Sequence, residues 1–460
     1  MTDSSFEEIG NQRPAADGQL FVRSQTQLAV DNPFAKGQRL TRAQVEDAFG
    51  VSLLRRVEEE DVVSLVETIN EPAKTLREKR IQLGLDVDQL ARSSKLPIAL
   101  VTDAETPGKI VPIQSLNTLC QFLALDESVL GYKAAAGGDE KLGVRLRLLS
   151  ENRDVRAFSP ATVAALAEAA WVIAKQMNLS GLISRQPHSL VRHDSRRDGD
   201  YNYPAYRKGY LLAERTRKLL DLAPDAPIES VRVLVEEFLR IPLIQVTLET
   251  RFAGATIANG AHRGIVVNER GRNSEVAVRR MTTCHELAHL MWDPDEQLDR
   301  LLVDDYESIE GRPSGADAVE IRANSFAVAF LAPRKAVIDI VAASSNLGNA
   351  LTRVCERFGI SASAARHHVH NVCEVETATV RMAAPDFSPW LAAENRTIDF
   401  LPGLDDGVPI SRRGMFSGIV AKAYIAGAIS ADTAAMCLRS PTESTIAAAP
   451  GIAEIWGLLN

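Results

Sequence analysis

RRMTTCHELAHLMW, residues 279–292, is the stretch on which the reading of this chain turns. Its pattern is that of a helix, and on a helix positions i and i+4 lie on one face. The imidazoles of His285 and His289 can therefore converge on a single ion. Glu286, one position round, can reach a water held at that ion and take its proton. A catalytic zinc needs a third protein ligand and an open position. The downstream carboxylates are Asp293, Glu296, Asp304, Glu307, Glu310 and Glu320. Glu320 is the one carried by a well-formed amphipathic helix, Glu320–Leu331, which Pro333 closes, and a ligand benefits from such rigidity. Spacing alone leaves Glu320 balanced between a ligand and a solvated helix charge.

Upstream, Tyr210–Leu220 and Ile228–Leu239 have helical periodicity. Three β-like runs follow, Pro242–Leu248, Ala255–Ala258 and Gly264–Asn268, and Asn273-Ser274 opens the motif helix. Helices, a few strands and then the motif helix make an α+β arrangement rather than a βαβ alternation. Downstream, Ala350–Phe358, Gly359 and Ser361–Val372 form a helix-turn-helix-like pair. His367, His368 and His370 crowd its second helix, where a solvated or phosphate-facing patch is the better expectation than a metal site. His188, His193 and His262 are isolated. The chain contains no Walker phosphate loop and no dinucleotide fingerprint.

This ordered set, GIVVN at 264–268, the motif helix, then EIRANSFAVAFLAP at 320–333, resembles the ImmA/IrrE metallo-endopeptidases. The likeness runs from about Tyr210 to Asn371, and RRGMFSGIVAKAYIAGAIS at 412–430 adds to it. It implies His285, His289 and Glu320 as ligands of Zn²⁺ (Mn²⁺ being the alternative ion) and Glu286 as the catalytic base. CERFGISASAARHHV, 355–369, resembles a helical element that family members carry after the peptidase core.

A second resemblance lies earlier. LREKRIQLGLDVDQLARSSKLPIALVTDAETPGKIVPIQSLNTLCQFL, 76–123, is similar to Xre/Cro-type repressor domains, and repressors of that type are the usual substrates of ImmA/IrrE peptidases. The expected recognition helix, Pro97–Ala104, lacks the Arg, Gln or Asn that read base edges. Arg77, Lys79, Arg80, Arg92, Lys95 and Lys109 remain available for phosphates, with Arg77, Arg80, Arg92, Lys95 and Lys109 the named DNA-binding candidates. A small helical docking module is the competing expectation.

The remaining sequence sets bounds. At 460 residues several units are expected, and 45% hydrophobic residues suffice for buried cores. A net charge of −8 argues against a general nucleic-acid coat. Five scattered cysteines without CxxC spacing fit a reducing compartment. No signal peptide or apolar span is legible, so a cytoplasmic protein without membrane association is expected.

The fold class expected is multidomain and mainly α, with a small α+β zincin-like core and an N-terminal helical helix-turn-helix domain. Its divisions are a disordered tail (1–40), an unassigned helical segment (41–70), the Xre-like domain (71–135) and a helical connector and loop (136–205). The peptidase core (206–345), a helix-turn-helix-like element (346–380), and a linker with a C-terminal helical domain (381–460) complete it. Thr41 with Gln44 forms a capping box for the 41–70 segment, and EEEDVVSLVETI continues it as a second helix. The expected function is a zinc endopeptidase that cuts a repressor, in trans or in cis, in a transcriptional, stress or phage response. The alternative is a DNA-binding regulator whose peptidase fold senses or binds without turnover. A homodimer is plausible. The expected place for an extended substrate is a sheet edge near Gly264–Asn268.

Overall fold

The computed structural model describes residues 20–24, 37–66, 68–132, 142, 158–188, 204–260, 262–293, 302–305, 318–394, 401–404 and 407–459. Within the segment expected to be a tail, β1 (Leu20–Arg23) pairs antiparallel with β2 (Gln38–Thr41). Burial of Arg23 explains why the pairing holds: its guanidinium donates to the carbonyls of Glu127 and, at 3.2 Å, Leu130. Gln38 is also buried, between Thr433 and Asn117, which ties this hairpin to the helices that carry those two residues.

The Thr41–Gln44 capping box starts α1 (Arg42–Glu60). The second helix expected from EEEDVVSLVETI does not form, and 62–66 has no regular structure. Asp61, at φ 60°, turns the chain out of the helix, and the β-branched Val62 and Val63 disfavour a restart. Four short helices follow: α2 (Ala73–Gln82), α3 (Val87–Ser94), α4 (Ile98–Ala104) and α5 (Ile113–Phe122). Gly84, at φ +70°, permits the turn after α2, and Asp86 with Gln89 forms a capping box on α3. Leu76, Leu90, Val101, Leu116, Leu119 and Leu123 close their shared core.

The expected connector contains a core element. Ser159 caps α6 (Pro160–Leu182), whose Leu166, Ala167, Ala169 and Val172 are fully buried. Two helical pieces come next: α7 (Ala205–Leu219), then α8 (Val231–Val233), which widens into a π turn over Leu234–Phe238. The sheet follows, with β3 (Leu243–Val246), β4 (Phe252–Asn259) and β5 (His262–Asn268). The motif helix is α9 (Val276–Trp292), and β6 (Leu302–Asp305) returns to the sheet after it. The sheet order is β3-β5-β4-β6, with β3 and β5 parallel and the other pairs antiparallel. Gly264–Asn268 therefore lies in an interior strand, paired on both sides. The expectation of a free edge there is corrected: hairpin closure and the β3–β5 pairing use both of its ladders.

Next are α10 (Ala318–Leu331), α11 (Arg334–Ala342), α12 (Leu347–Phe358) and α13 (Ala362–Cys373). The 381–409 stretch expected to be a linker holds α14 (Ser388–Glu394), with Trp390 and Glu394 buried. The chain closes with α15 (Met415–Ile425), α16 (Ala431–Leu438) and α17 (Thr442–Ile455).

Strand alternation divides the interior in two. Ile244, Val246, Ala255, Ile257 and Val266 face a core shared with α6, the N-terminal helices and α15–α17. Leu243, Ala258, Ile265 and Val267 face a second core shared with α7, α9, α10, α12 and α13. The period of two along each strand sends alternate residues to opposite faces, so one small sheet organises both. The N- and C-terminal segments are thereby built into one interior rather than strung along linkers. Cys120, Cys284, Cys355 and Cys437 are buried in these cores as small apolar residues. Among the described residues no helix is long and apolar enough to cross a membrane.

Candidate metal centre

All sixteen positions from Val276 to Trp292 other than Arg279 are buried, so α9 is the central helix of its layer. It places His285, Glu286 and His289 at 0% exposure. Glu320 comes from the first turn of α10 and is 2% exposed. One ligand atom from each of His285, His289 and Glu320 lies within 4.8 Å of the others. His285 Nε2 is 3.0 Å from His289 Nε2 and 3.3 Å from Glu320 Oε2, and His289 Nε2 is 3.8 Å from Glu320 Oε1.

The outer nitrogens decide what lies between them. His289 Nδ1 is 2.8 Å from Asp293 Oδ2, and a carboxylate only accepts, so Nδ1 carries the proton. His285 Nδ1 donates likewise to Asn324 Oδ1 at 2.8 Å. In the neutral rings each Nε2 then presents a lone pair, and the two lone pairs meet a carboxylate in a buried space. Neither Glu320 oxygen accepts a hydrogen bond among the described residues. Three electron-pair donors facing one another at no more than 4.8 Å could hold a cation between them. This donor set fits a divalent metal ion, as the two imidazoles and one carboxylate of a His₂Glu site would.

The surrounding groups hold this arrangement. Asp293, at the C-cap of α9, also receives the Arg322 guanidinium through Oδ1. Burial alone would lower the His289 pKa, but the adjacent Asp293 carboxylate outweighs it and raises the ring above its ordinary 6.5. Thr256 on β4 donates to Glu286 Oε2 at 2.7 Å, fixing the carboxylate against the sheet. Gly254 makes room for it: a Cβ there would lie 2.9 Å from Glu286 Oε1 and 2.8 Å from the Val266 carbonyl. Gly209 does the same for the third ligand's helix. A Cβ at Gly209 would sit 2.7 Å from Ser325 Cβ and 2.8 Å from Phe326 N, so only glycine lets α7 approach α10 this closely.

On its other flank α9 is anchored by Arg280, 1% exposed. It pairs with Glu394, donates to the Ile228 carbonyl at 2.6 Å, and stacks 4.2 Å above the Trp390 ring. Glu394 in turn accepts from Val231 N at 2.8 Å and Ser230 Oγ at 3.1 Å, at the start of α8. The apparent linker thus supplies the counter-charge of the motif helix.

The structure brings His285, Glu286, His289 and Glu320 together. Of the other carboxylates weighed as third ligand, Asp293 orients His289 instead, and Glu296, Glu307 and Glu310 lie outside the described residues. Asp304 lies on β6. Asn324, Thr256, Arg322, Gly254 and Gly209 were not singled out from the sequence. Asn324 could have been, since it stands four residues after Glu320 on the same helical face.

The phosphate candidates fare differently. Arg80 is engaged with Glu105 through two contacts of 2.6 and 2.7 Å and with the Leu85 carbonyl at 2.8 Å. It therefore serves α2–α4 packing, which corrects its reading as a phosphate contact. Lys79 is buried, and Lys109 lies 3.9 Å from Asp103. Arg77, Arg92 and Lys95 are exposed. His368 is fully buried, with Nε2 donating to the Ala332 carbonyl at 2.8 Å and Nδ1 facing the Tyr210 hydroxyl at 3.1 Å. It is a structural residue, not part of a solvated patch.

The α+β core thus carries, on its motif helix and α10, a buried donor set that could hold one cation, with the Glu286 carboxylate beside it. Residues 248–370 match the family model Peptidase_M78, described as the IrrE N-terminal-like domain. The match begins just before β4 and ends within α13, so it spans both ligand-bearing helices. No protein of curated function is similar to the chain at a significant level.

Proposed function

We propose that the chain is a metal-dependent endopeptidase of the ImmA/IrrE type, with His285, His289 and Glu320 holding one divalent ion, Zn²⁺ or alternatively Mn²⁺. The observation that carries this reading is the buried convergence of one ligand atom each from His285, His289 and Glu320 within 4.8 Å of one another. A bound ion would polarise the substrate carbonyl and lower the pKa of water at the site towards neutrality, roughly 7 in known zinc sites.

The protein's own groups do the rest. Glu286 accepts the proton of the attacking water as its oxygen bonds to the carbonyl carbon. It then passes that proton to the amide nitrogen as the C–N bond breaks. Thr256 holds one Glu286 oxygen, so the carboxylate is aimed before substrate arrives. Asp293 and Asn324 keep both imidazoles in the tautomer that offers Nε2.

A repressor is the preferred substrate, because the 76–123 segment is similar to the repressors that such peptidases cut. That segment would serve here as a docking module. Ile81, Ile98 and Ile110 are 54%, 54% and 69% exposed on it, and Arg80 is spent internally, which favours a protein partner over DNA. The test is Glu286→Gln in the full chain, incubated with candidate repressors. Retained metal with abolished cleavage supports the proposal, and unchanged biological output with Gln at 286 refutes it.

A further inference from the structure

Every functional side chain in the site is buried: His285, Glu286 and His289 are at 0% exposure and Glu320 at 2%. A peptide cannot reach Glu286 unless something moves. The strand nearest Glu286 is β4, through the Thr256 hydroxyl at 2.7 Å and the close passage of Gly254. One side of β4 is taken by β5, and β6 occupies the other, with Leu302 opposite Thr256, Val303 opposite Ala255 and Asp304 opposite Gly254.

We propose that β6 is an internal occupant of the substrate's place: an extended peptide is recognised by pairing with the outer edge of β4, and β6 must leave that edge first. The inference rests on the peptidase reading above. Its geometry is specific. The β4 position that fixes Glu286 is also the one that faces Leu302, so the scissile peptide would lie where the backbone at Leu302 now runs. Recognition through main-chain hydrogen bonds selects segments that are extended or readily unfolded, and asks little of their side chains.

β6 is also made to be displaced. It is only four residues long, and its pairing with β4 slips between Phe252 and Gly254. A short strand with an irregular ladder opens at far lower cost than the interior β3–β5–β4 pairing. It lies in the connection between α9 and α10, the two helices that carry the metal donors. Occupancy of the edge is therefore tied by the chain itself to both halves of the site.

The experiment compares three zinc-loaded full-length proteins: the wild type, an Ala255→Cys/Val303→Cys pair across the β4–β6 ladder, and Val303→Pro, whose ring disfavours a residue inside a strand. Zinc release to EDTA is followed with 4-(2-pyridylazo)resorcinol, and cleavage of fluorescein-labelled casein is measured beside Glu286→Gln controls. Oxidising the cysteine pair is expected to slow zinc release at least about tenfold and silence cleavage, with a phosphine reductant reversing both. Val303→Pro is expected to move both readouts the other way. The reversible lock guards against misfolding, since a misfolded variant would not regain wild-type release on reduction. Release rates that agree within about twofold across all three proteins would overturn the role of β6. Release that follows β6 with no Glu286-dependent cleavage in any protein would overturn the peptidase reading, leaving β6 as the cover of a metal-binding site.

Discussion

Replacing Asp293 by Asn should weaken metal binding without unfolding the protein. Asp293 is fully buried and serves two neighbours at once, accepting from His289 Nδ1 at 2.8 Å and from Arg322. Asn keeps the shape but offers one acceptor oxygen and no charge, so one of those bonds is lost. The His289 bond is also the one that keeps the lone pair on Nε2. Loss of such an orienting partner costs about 10- to 100-fold in metal affinity, or about 1.4 to 2.7 kcal/mol. Zinc titrated against a fluorescent competing chelator reads the change, and circular dichroism checks the fold. An affinity within about threefold of wild type would refute the orienting role. So would an equal loss in a variant that removes only the Arg322 partner, because the effect would then come from the buried guanidinium.

Three other substitutions test the scaffold. Arg280→Met should lower stability by about 3 kcal/mol in urea melts, because it strands Glu394 in a buried site, and a loss under about 0.5 kcal/mol would contradict the anchor. Gly209→Ala should cost about 1 to 3 kcal/mol and lower metal affinity as well, since the added Cβ pushes α7 against α10, which carries Glu320. Stability loss with unchanged affinity would uncouple the two helices. The third concerns His368, whose pKa burial lowers from 6.5 to about 4. Between those values the unfolded chain binds the proton and the folded one does not, so its stabilisation is complete above pH 6.5 and declines towards pH 4. The decline attributable to this ring is on the order of 3 kcal/mol, and His368→Gln should flatten that part of the stability curve.

Local chemistry was legible wherever the chain punctuates itself. Thr41 with Gln44, Gly359 and Ser361 each mark a helix boundary, and the structure uses all of them as such. The two motif histidines were readable because helical spacing fixes which side chains share a face, whereas Glu320, on another helix, was implied by the resemblance to ImmA/IrrE peptidases. What escaped depended on distant partners. β6 reads as LVDD, too short and acidic to announce a strand, and it exists by pairing with β4. Pro333, taken as the end of one helix, also begins α11. The 381–409 stretch looked like a linker because the charge that Glu394 answers, Arg280, lies more than a hundred residues away. Arg23 hides β1 in the same way, since its acceptors at 127 and 130 are far along the chain.

The most direct measurement of the central claim is metal stoichiometry. Wild type, His289→Ala and Glu286→Gln would each be equilibrated with Zn²⁺, dialysed and analysed by mass spectrometry for bound metal. The structure predicts about one ion per chain in wild type and Glu286→Gln, and none retained in His289→Ala. No ion in the wild type, or equal retention by His289→Ala, would contradict the assignment of the His285, His289 and Glu320 cluster as a metal centre.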